Sequence, residues 1–306
     1  MAWKPLPLSS LLKKETQVLI KNYRNNPELR KSFNELARKT FDIDFEDWYQ
    51  NGYWGENYDP YSIVIDGKVV SNVSVNHMEF LQNGERKYFI QLGTVMTDES
   101  YRDRGFIRQI MDEIERDYEK KSDGFFLFAN DSVLDFYPKF GFRKSEEFQY
   151  HKKLAAVSAA GPRTIEQIPM RGKTAWTLLE DAIRKSIPHS LFEMVNNREL
   201  ILFYVTKYMQ ENVYYHKELD AYVIAEIKDG HLLLHNIFAP GPVEIGQIVK
   251  SFGNGIRQVR LGFTPMDCGD YTEEPLKEED CTLFVKGKGF ESFALDKLMF
   301  PTLAHA

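Results

Sequence analysis

The sequence predicts an α+β fold in which a mixed, mainly antiparallel sheet flanked by helices occurs twice along the chain. Three observations carry that expectation. Apolar runs broken by Asp66-Gly67 and Asn83-Gly84 mark a three-strand antiparallel meander, because Asx-Gly pairs supply the positive φ angles of tight hairpins. Ile107, Ile110, Met111, Ile114 and Tyr118 then recur at the spacing of one helix face. After a small-residue break at 155–163, the only convincing linker, the second half repeats the order of the first.

Taken in order, 9–21 and 26–39 read as helices, and 61–65 as a strand that turns into 69–80 and again into 87–97. The amphipathic helix follows, then a strand at 124–129. Asp131 or Ser132 is placed to cap a short helix that ends near Pro138, and another strand follows. In the second half, helices are expected at 173–185 and 198–210 and strands at 221–227 and 231–238. Pro242 opens a helix over 243–252, and a strand follows at 258–263. The apolar tail 298–306 reads as a closing strand. The expected domains are 1–155 and 164–306.

The 306 residues are 43% hydrophobic, enough to give each half a core. A net charge of −6 with no block of Lys or Arg argues against nucleic acid as a partner. Cys268 and Cys281 are too few and too far apart for a zinc knuckle or a disulfide framework, so no metal is expected. With neither a signal-peptide pattern nor a run of membrane-spanning length, the reading is a cytoplasmic protein without a membrane partner.

The stretch from Gly93 to Ile107 carries the chemistry. A strand ends there in a polar loop that opens directly into the amphipathic helix. Unpaired N–H groups at a helix N-terminus, with the partial positive charge of the helix, favour a bound anion such as a pyrophosphate. A side chain at Gly105 would block the approach, and Arg102, Arg104 and Arg108 add positive charge around the same turn.

The run Arg102, Asp103, Arg104, Gly105, Phe106, Ile107 resembles the acyl-CoA pyrophosphate loop of the GNAT superfamily. That pattern is Gln or Arg, two residues, Gly, one residue, then Gly or Ala; Ile107 stands where it has a small residue. One strand later, Asn130 through Tyr137 to Gly141-Phe142 is similar to the GNAT segment in which an Asn precedes a short helix ending in Tyr. The resemblance implies acetyl-CoA as co-substrate, Tyr137 as the general acid at the departing thiolate and Asn130 near the pantetheine arm. A phenol near pKa 10 suits that role, since it holds its proton until charge develops on sulfur. The resemblance also implies that the strand ending in Val95, Met96 and Thr97 splays from its neighbour. The backbone of Val95 and Thr97 would then face the pantetheine, with an N–H for the oxyanion.

The implied activity is transfer of acetyl to a primary amine of a small molecule or peptide, by direct attack in a ternary complex. A non-catalytic acyl-CoA-binding regulatory or interaction protein stays open as the alternative. For the base, Glu79, His77, Gln91 through a water, and His151 are candidates. The C-terminal carboxylate of Ala306 joins them, because in Eis-type members the chain end lies in the cleft. The second copy reads Pro240-Gly-Pro242 at the equivalent junction, with no Arg and two amide donors missing. It is expected to be a degenerate GNAT-like domain that shapes the amine cleft or serves a structural role. Aromatic residues over 41–61 and 204–222 are candidate pocket walls, and an Eis-like arrangement implies a possible homo-oligomer.

Overall fold

The computed structural model describes residues 15–154 and 163–305. The first half runs β1 (Gln17–Ile20), α1 (Pro27–Phe41), α2 (Glu46–Gln50), β2 (Tyr58–Ile65), β3 (Lys68–Gln82), β4 (Glu85–Thr97), α3 (Phe106–Tyr118), β5 (Gly124–Ala129), β6 (Arg143–Lys144) and β7 (Phe148–Lys153). The second runs β8 (Glu166–Gln167), α4 (Gly172–Lys185), β9 (Phe192–Val195), α5 (Arg198–Lys207), β10 (Val213–His216), β11 (Ala221–Lys228), β12 (His231–Phe238), α6 (Ile245–Ser251), β13 (Gln258–Leu261), β14 (Thr272–Pro275) and β15 (Thr282–Lys286).

Local chemistry sets many of these boundaries. Asn26 caps α1 by accepting from the N–H groups of Glu28 and Leu29, Pro27 occupies the first turn, and Asp42 ends the helix in the left-handed region. Asp66-Gly67 and Asn83-Gly84 all have positive φ, as two-residue hairpins require. The meander β2–β3–β4 is the spine of an eight-stranded sheet in the order β1-β2-β3-β4-β5-β15-β6, with β9 added beside β3. The second sheet has the order β14-β7-β13-β12-β11-β10-β8. Both are mixed sheets flanked by helices, the tandem GNAT-like arrangement expected from the sequence.

The sheets do not follow the expected 155/164 boundary, because they trade strands across it. β15, from the second half, lies between β5 and β6, antiparallel to both, while β7, from the first half, pairs with β13 and β14. Gly124 permits the exchange, since a Cβ there would stand 2.5 Å from the Lys286 carbonyl oxygen.

Three expectations need correction. Residues 17–20 form an edge strand paired with β2, not the end of a helix, because hydrogen bonding to the open β2 edge outweighs a weak helical pattern. The rest of that expected helix up to residue 14 lies outside the described residues, as do 155–162 of the linker. The short helix after Asp131 is two 3-10 turns, Asp131–Val133 and Tyr137–Phe140, broken where Pro138 has no N–H to give. The tail is no closing strand: it wedges between the halves, with Phe300 stacked on Phe126 at 4.1 Å and His305 on Phe128 at 3.8 Å. Phe80, Phe89, Phe192, Phe290 and Phe293 complete one buried cluster drawn from both halves.

Glu147 fastens the tail by accepting from the Phe300 N–H at 2.8 Å. Full burial pushes its carboxyl up to about 8, against which the Phe300 bond acts only partly, so the folded chain holds that proton at neutral pH. Unfolded, the group titrates near 4.3. The unfolded state therefore releases the proton first, and this contribution to stability falls as pH rises from about 5 to about 8. Glu147→Gln keeps the acceptor and should flatten that decline, raising Tm at pH 8 more than at pH 5. Thermal unfolding at both pH values checks it, and an unaltered pH dependence would contradict it.

Candidate active site

β4 and β5 run parallel and bond only from Phe89↔Gly124 to Gln91↔Phe126. Beyond Gln91 the two strands part. The β3–β4 register shifts between Asn72 and Ser74, opposite Thr94, which takes φ +47°. A β-branched residue in that region costs about 1–3 kcal/mol. The surroundings hold it there: Thr94 Oγ1 lies 2.9 Å from the Tyr58 hydroxyl, and the Thr94 carbonyl accepts from Asn72 Nδ2 at 2.9 Å. Ser74 Oγ donates to Tyr58, and Ser62 Oγ donates to Asn72, within a buried polar network. After the bulge, the Asp98 N–H donates to the Val70 carbonyl of β3. Alternation along the strand then points Met96 toward β3 and the backbone groups of Val95 and Thr97 into the slot between β4 and β5. Val95 and Thr97 are partly exposed, whereas Met96 is buried.

At the end of the slot, Asp98 accepts from the Ser100 N–H and the chain turns through Asp103 at φ +62° and Gly105 at φ +75°. Gly105 occupies the N-cap of α3 and no side chain caps the helix, so its first amides face outward. A Cβ on Gly105 would meet nothing within 4 Å, so glycine is demanded by φ and the space beyond is open. That space is a cleft of about 400 Å³ lined by Thr97, Arg102, Asp103, Arg104, Gly105, Phe106, Ile107, Arg108 and Lys139. The arginines differ in their commitments. Arg104 pairs with Glu15 at 3.0 Å and lies over Tyr101, Arg102 is 3.9 Å from Glu99, and Arg108 lies over the Phe140 ring. Lys139 was legible two residues after Tyr137 but was not singled out from the sequence.

Asn130 follows β5 and is exposed; its side chain makes no capping bond. Tyr137 opens the next turn, 6% exposed, packed against Phe142 and against Phe284 of the exchanged strand β15. It shares one core with Leu92, Val95, Phe106 and Ile110, on the α3 face of the slot. Burial pushes its phenol up to about 12, so it holds its proton throughout the neutral range.

A splayed parallel pair, a glycine-opened helix beside it and a tyrosine at the end of the partner strand are features that a comparison with known proteins can test. Residues 26–145 match the family model described as an acetyltransferase (GNAT) domain. Residues 26–145 are a GNAT domain. Among solved structures, a conserved protein of Enterococcus faecalis V583 described as a probable N-acyltransferase aligns with TM-score 0.60 at 17% identity, over 91% of this chain and 74% of that one. Eis1 of Mycobacterium abscessus aligns with TM-score 0.55 at 13% identity, over 92% and 76%. A GCN5-related N-acetyltransferase of Kribbella flavida gives 0.51 at 14%, over 89% and 71%. At these identities the likeness is one of fold. No curated protein matches.

GNAT domains use acetyl-CoA, and the chemistry of this cleft fits its diphosphate: outward amides, open space over Gly105 and four cationic side chains. Among the described residues no cluster of His, Cys, Asp and Glu could hold a metal, and no helix is long and apolar enough to cross a membrane.

On the other face of the GNAT sheet, Thr94 and Asn76 floor a cavity of about 240 Å³. Its walls are Phe45, Trp48 and Tyr58 from the first half, Glu199, Phe203, Tyr204 and Tyr208 from and just after α5, and His305 from the tail. The sequence-named bases do not meet there. Glu79 pairs with Arg86, His77 lies 2.5 Å from the Tyr88 hydroxyl and against Tyr118, and His151 faces Glu274 in the second sheet. Gln91 is fully buried, and Ala306 lies outside the described residues. The cavity instead brings in His305, which burial pushes down to about 4 and so keeps neutral. Of the candidate aromatic walls, Phe41, Phe45, Trp48, Tyr58, Tyr204 and Tyr208 line it, while Tyr214 and Tyr222 sit in cores elsewhere.

Replacing Arg108 or Lys139 by alanine should weaken CoA binding roughly tenfold each, the scale of one charge-assisted hydrogen bond. The affinity should also fall with salt. Calorimetric titration with CoA at two ionic strengths checks this, and unchanged dissociation constants in both variants would contradict it.

Proposed function

We propose that this chain is an N-acetyltransferase that moves acetyl from acetyl-CoA to a primary amine of a small molecule or peptide, by direct attack in a ternary complex. The single observation that carries the reading is the slot after Gln91: Val95 packs against the core that holds Tyr137, while the adjoining Thr94 lines the cavity. Acetyl-CoA supplies the activated acyl group as a thioester. The amides of Phe106 to Arg108, with Arg102, Arg104, Arg108 and Lys139, hold the diphosphate, and Asp103 shapes the turn. The backbone of Val95 and Thr97, beside Met96, orients the pantetheine arm, and Asn130 lies near it. An N–H of this strand faces the carbonyl oxygen as charge develops there.

The amine nitrogen, entering as the free base, bonds to the thioester carbonyl carbon and the C–S bond breaks. Tyr137 gives its proton to the departing sulfur, and the proton lost by the nitrogen restores the phenol by way of solvent. A thiol near pKa 8.5 is a moderate leaving group, and a buried phenol that keeps its proton lowers the charge it must carry. On this reading the catalytic domain is the N-terminal half. The second half is a degenerate copy that walls the amine cavity through α5 and the tail.

Two measurements test the proposal. Wild-type protein with acetyl-CoA and a panel of primary amines should release free thiol, and Tyr137→Phe should lower kcat by roughly 10²-fold or more while leaving the CoA dissociation constant within a factor of about three. Full activity of Tyr137→Phe would remove the general-acid role. Thiol release from no amine, with CoA bound normally, would favour a non-catalytic acyl-CoA-binding protein.

A further inference from the structure

The amine cavity has a composition that narrows its guest, given the acetyl-transfer reading of the site on which this inference rests. Among the described residues Glu199 is the one carboxylate on its lining, and no Lys, Arg or Asp joins it. Seven of the other fifteen lining residues are Phe, Tyr or Trp: Phe45 stacks on Phe203 at 5.7 Å and 15°, and Trp48 meets Phe203 edge-on at 5.6 Å. Polar groups are confined to the floor and rim. Asn76, 3% exposed, reaches the cavity with its Nδ2 buried and without a hydrogen-bond partner among the described residues. An orphaned buried donor points to a ligand that completes it.

We propose that the acceptor is a small, largely apolar amine with a single cationic centre, of the aralkylamine or alkylamine class, and not a polycation. Charge counting is the first reason. Glu199 is the carboxylate on the lining and already faces Arg198, so it has room for at most one ammonium between itself and Thr94. Each further ammonium drawn inside would lose its water without gaining a partner. Shape is the second reason. A cavity of about 240 Å³ lies below the roughly 300–1,000 Å³ of pockets for drug-sized ligands, so it suits a small guest. The aromatic faces supply both apolar contact and a quadrupole that favours a lone cation. The third reason is position: Asn57 Nδ2 lies 3.5 Å from Glu199 Oε2 and Arg198 Nε 3.4 Å from Oε1, which fixes the side chain at the cavity wall.

The test reads binding and chemistry separately. CoA-loaded protein is titrated calorimetrically with 2-phenylethylamine and with spermidine, while thiol release from acetyl-CoA is followed with the same amines and with kanamycin. The expected result is 2-phenylethylamine bound at least tenfold more tightly than spermidine, with Glu199→Gln weakening it roughly tenfold. Tyr208 is 59% exposed at the cavity, so Tyr208→Glu is expected to fold and, by adding a second carboxylate, to improve spermidine binding severalfold. Spermidine bound more tightly than 2-phenylethylamine, binding of neither, or indifference to Glu199→Gln overturns the inference. Selective binding without thiol release would leave the cavity assignment standing and sink the transferase reading. Turnover of kanamycin or spermidine in preference to the monoamine would do the reverse.

Discussion

The early end of the β4–β5 ladder is the constraint on which the rest of the molecule depends. Parallel strands that stayed bonded past Gln91 and Phe126 would consume the backbone groups of Val95 and Thr97 and close the passage from one sheet face to the other. The bulge at Thr94 turns the β4 backbone where the ladder has already stopped, and Tyr58, Ser74 and Asn72 hold the unfavourable φ in place by hydrogen bonds. The proposed transfer needs the helix end at Gly105, the phenol of Tyr137 and the cavity lined by Thr94 to act together, and it depends on this slot for that.

Strand exchange makes the slot a property of the whole chain. β15 covers the free edge of β5 and brings Phe284 against Tyr137, so the second half supports a residue that sequence alone places in the first. In return β7 completes the second sheet. The tail that follows β15 stacks on Phe126 and Phe128, on the side of β5 opposite Tyr137, and delivers His305 to the cavity. A shared aromatic cluster of this size leaves little freedom for the halves to move apart.

The features legible in the sequence were those with a local cause. The Asx-Gly pairs and the apolar stripe of α3 act within a few residues, and each produced the expected element. Gly105 declared the helix end in the same way, and Tyr137 and Asn130 followed at recognisable spacing. What escaped depends on partners distant in the chain. Residues 17–20 are a strand only because β2 offers an edge far along the chain, as in the pair Leu19↔Ile63 and its neighbours. Thr282–Lys286 is too short to announce itself and gains its place from Phe126 and Phe128 across the exchange. The cavity wall had no local signal either, since Glu199 and Trp48 meet through the Trp48 Nε1–H bond to the Glu199 carbonyl, 151 residues apart.

The most direct measurement is hydrogen exchange of the backbone amides with and without CoA. Slower exchange at Val95, Thr97 and Phe106 to Arg108, with no comparable change at Val243 to Ile245 in the second half, is the predicted outcome. Protection at Val243 to Ile245 instead, or amides at the slot and the α3 N-terminus that exchange at the same rate with saturating CoA, would contradict the account.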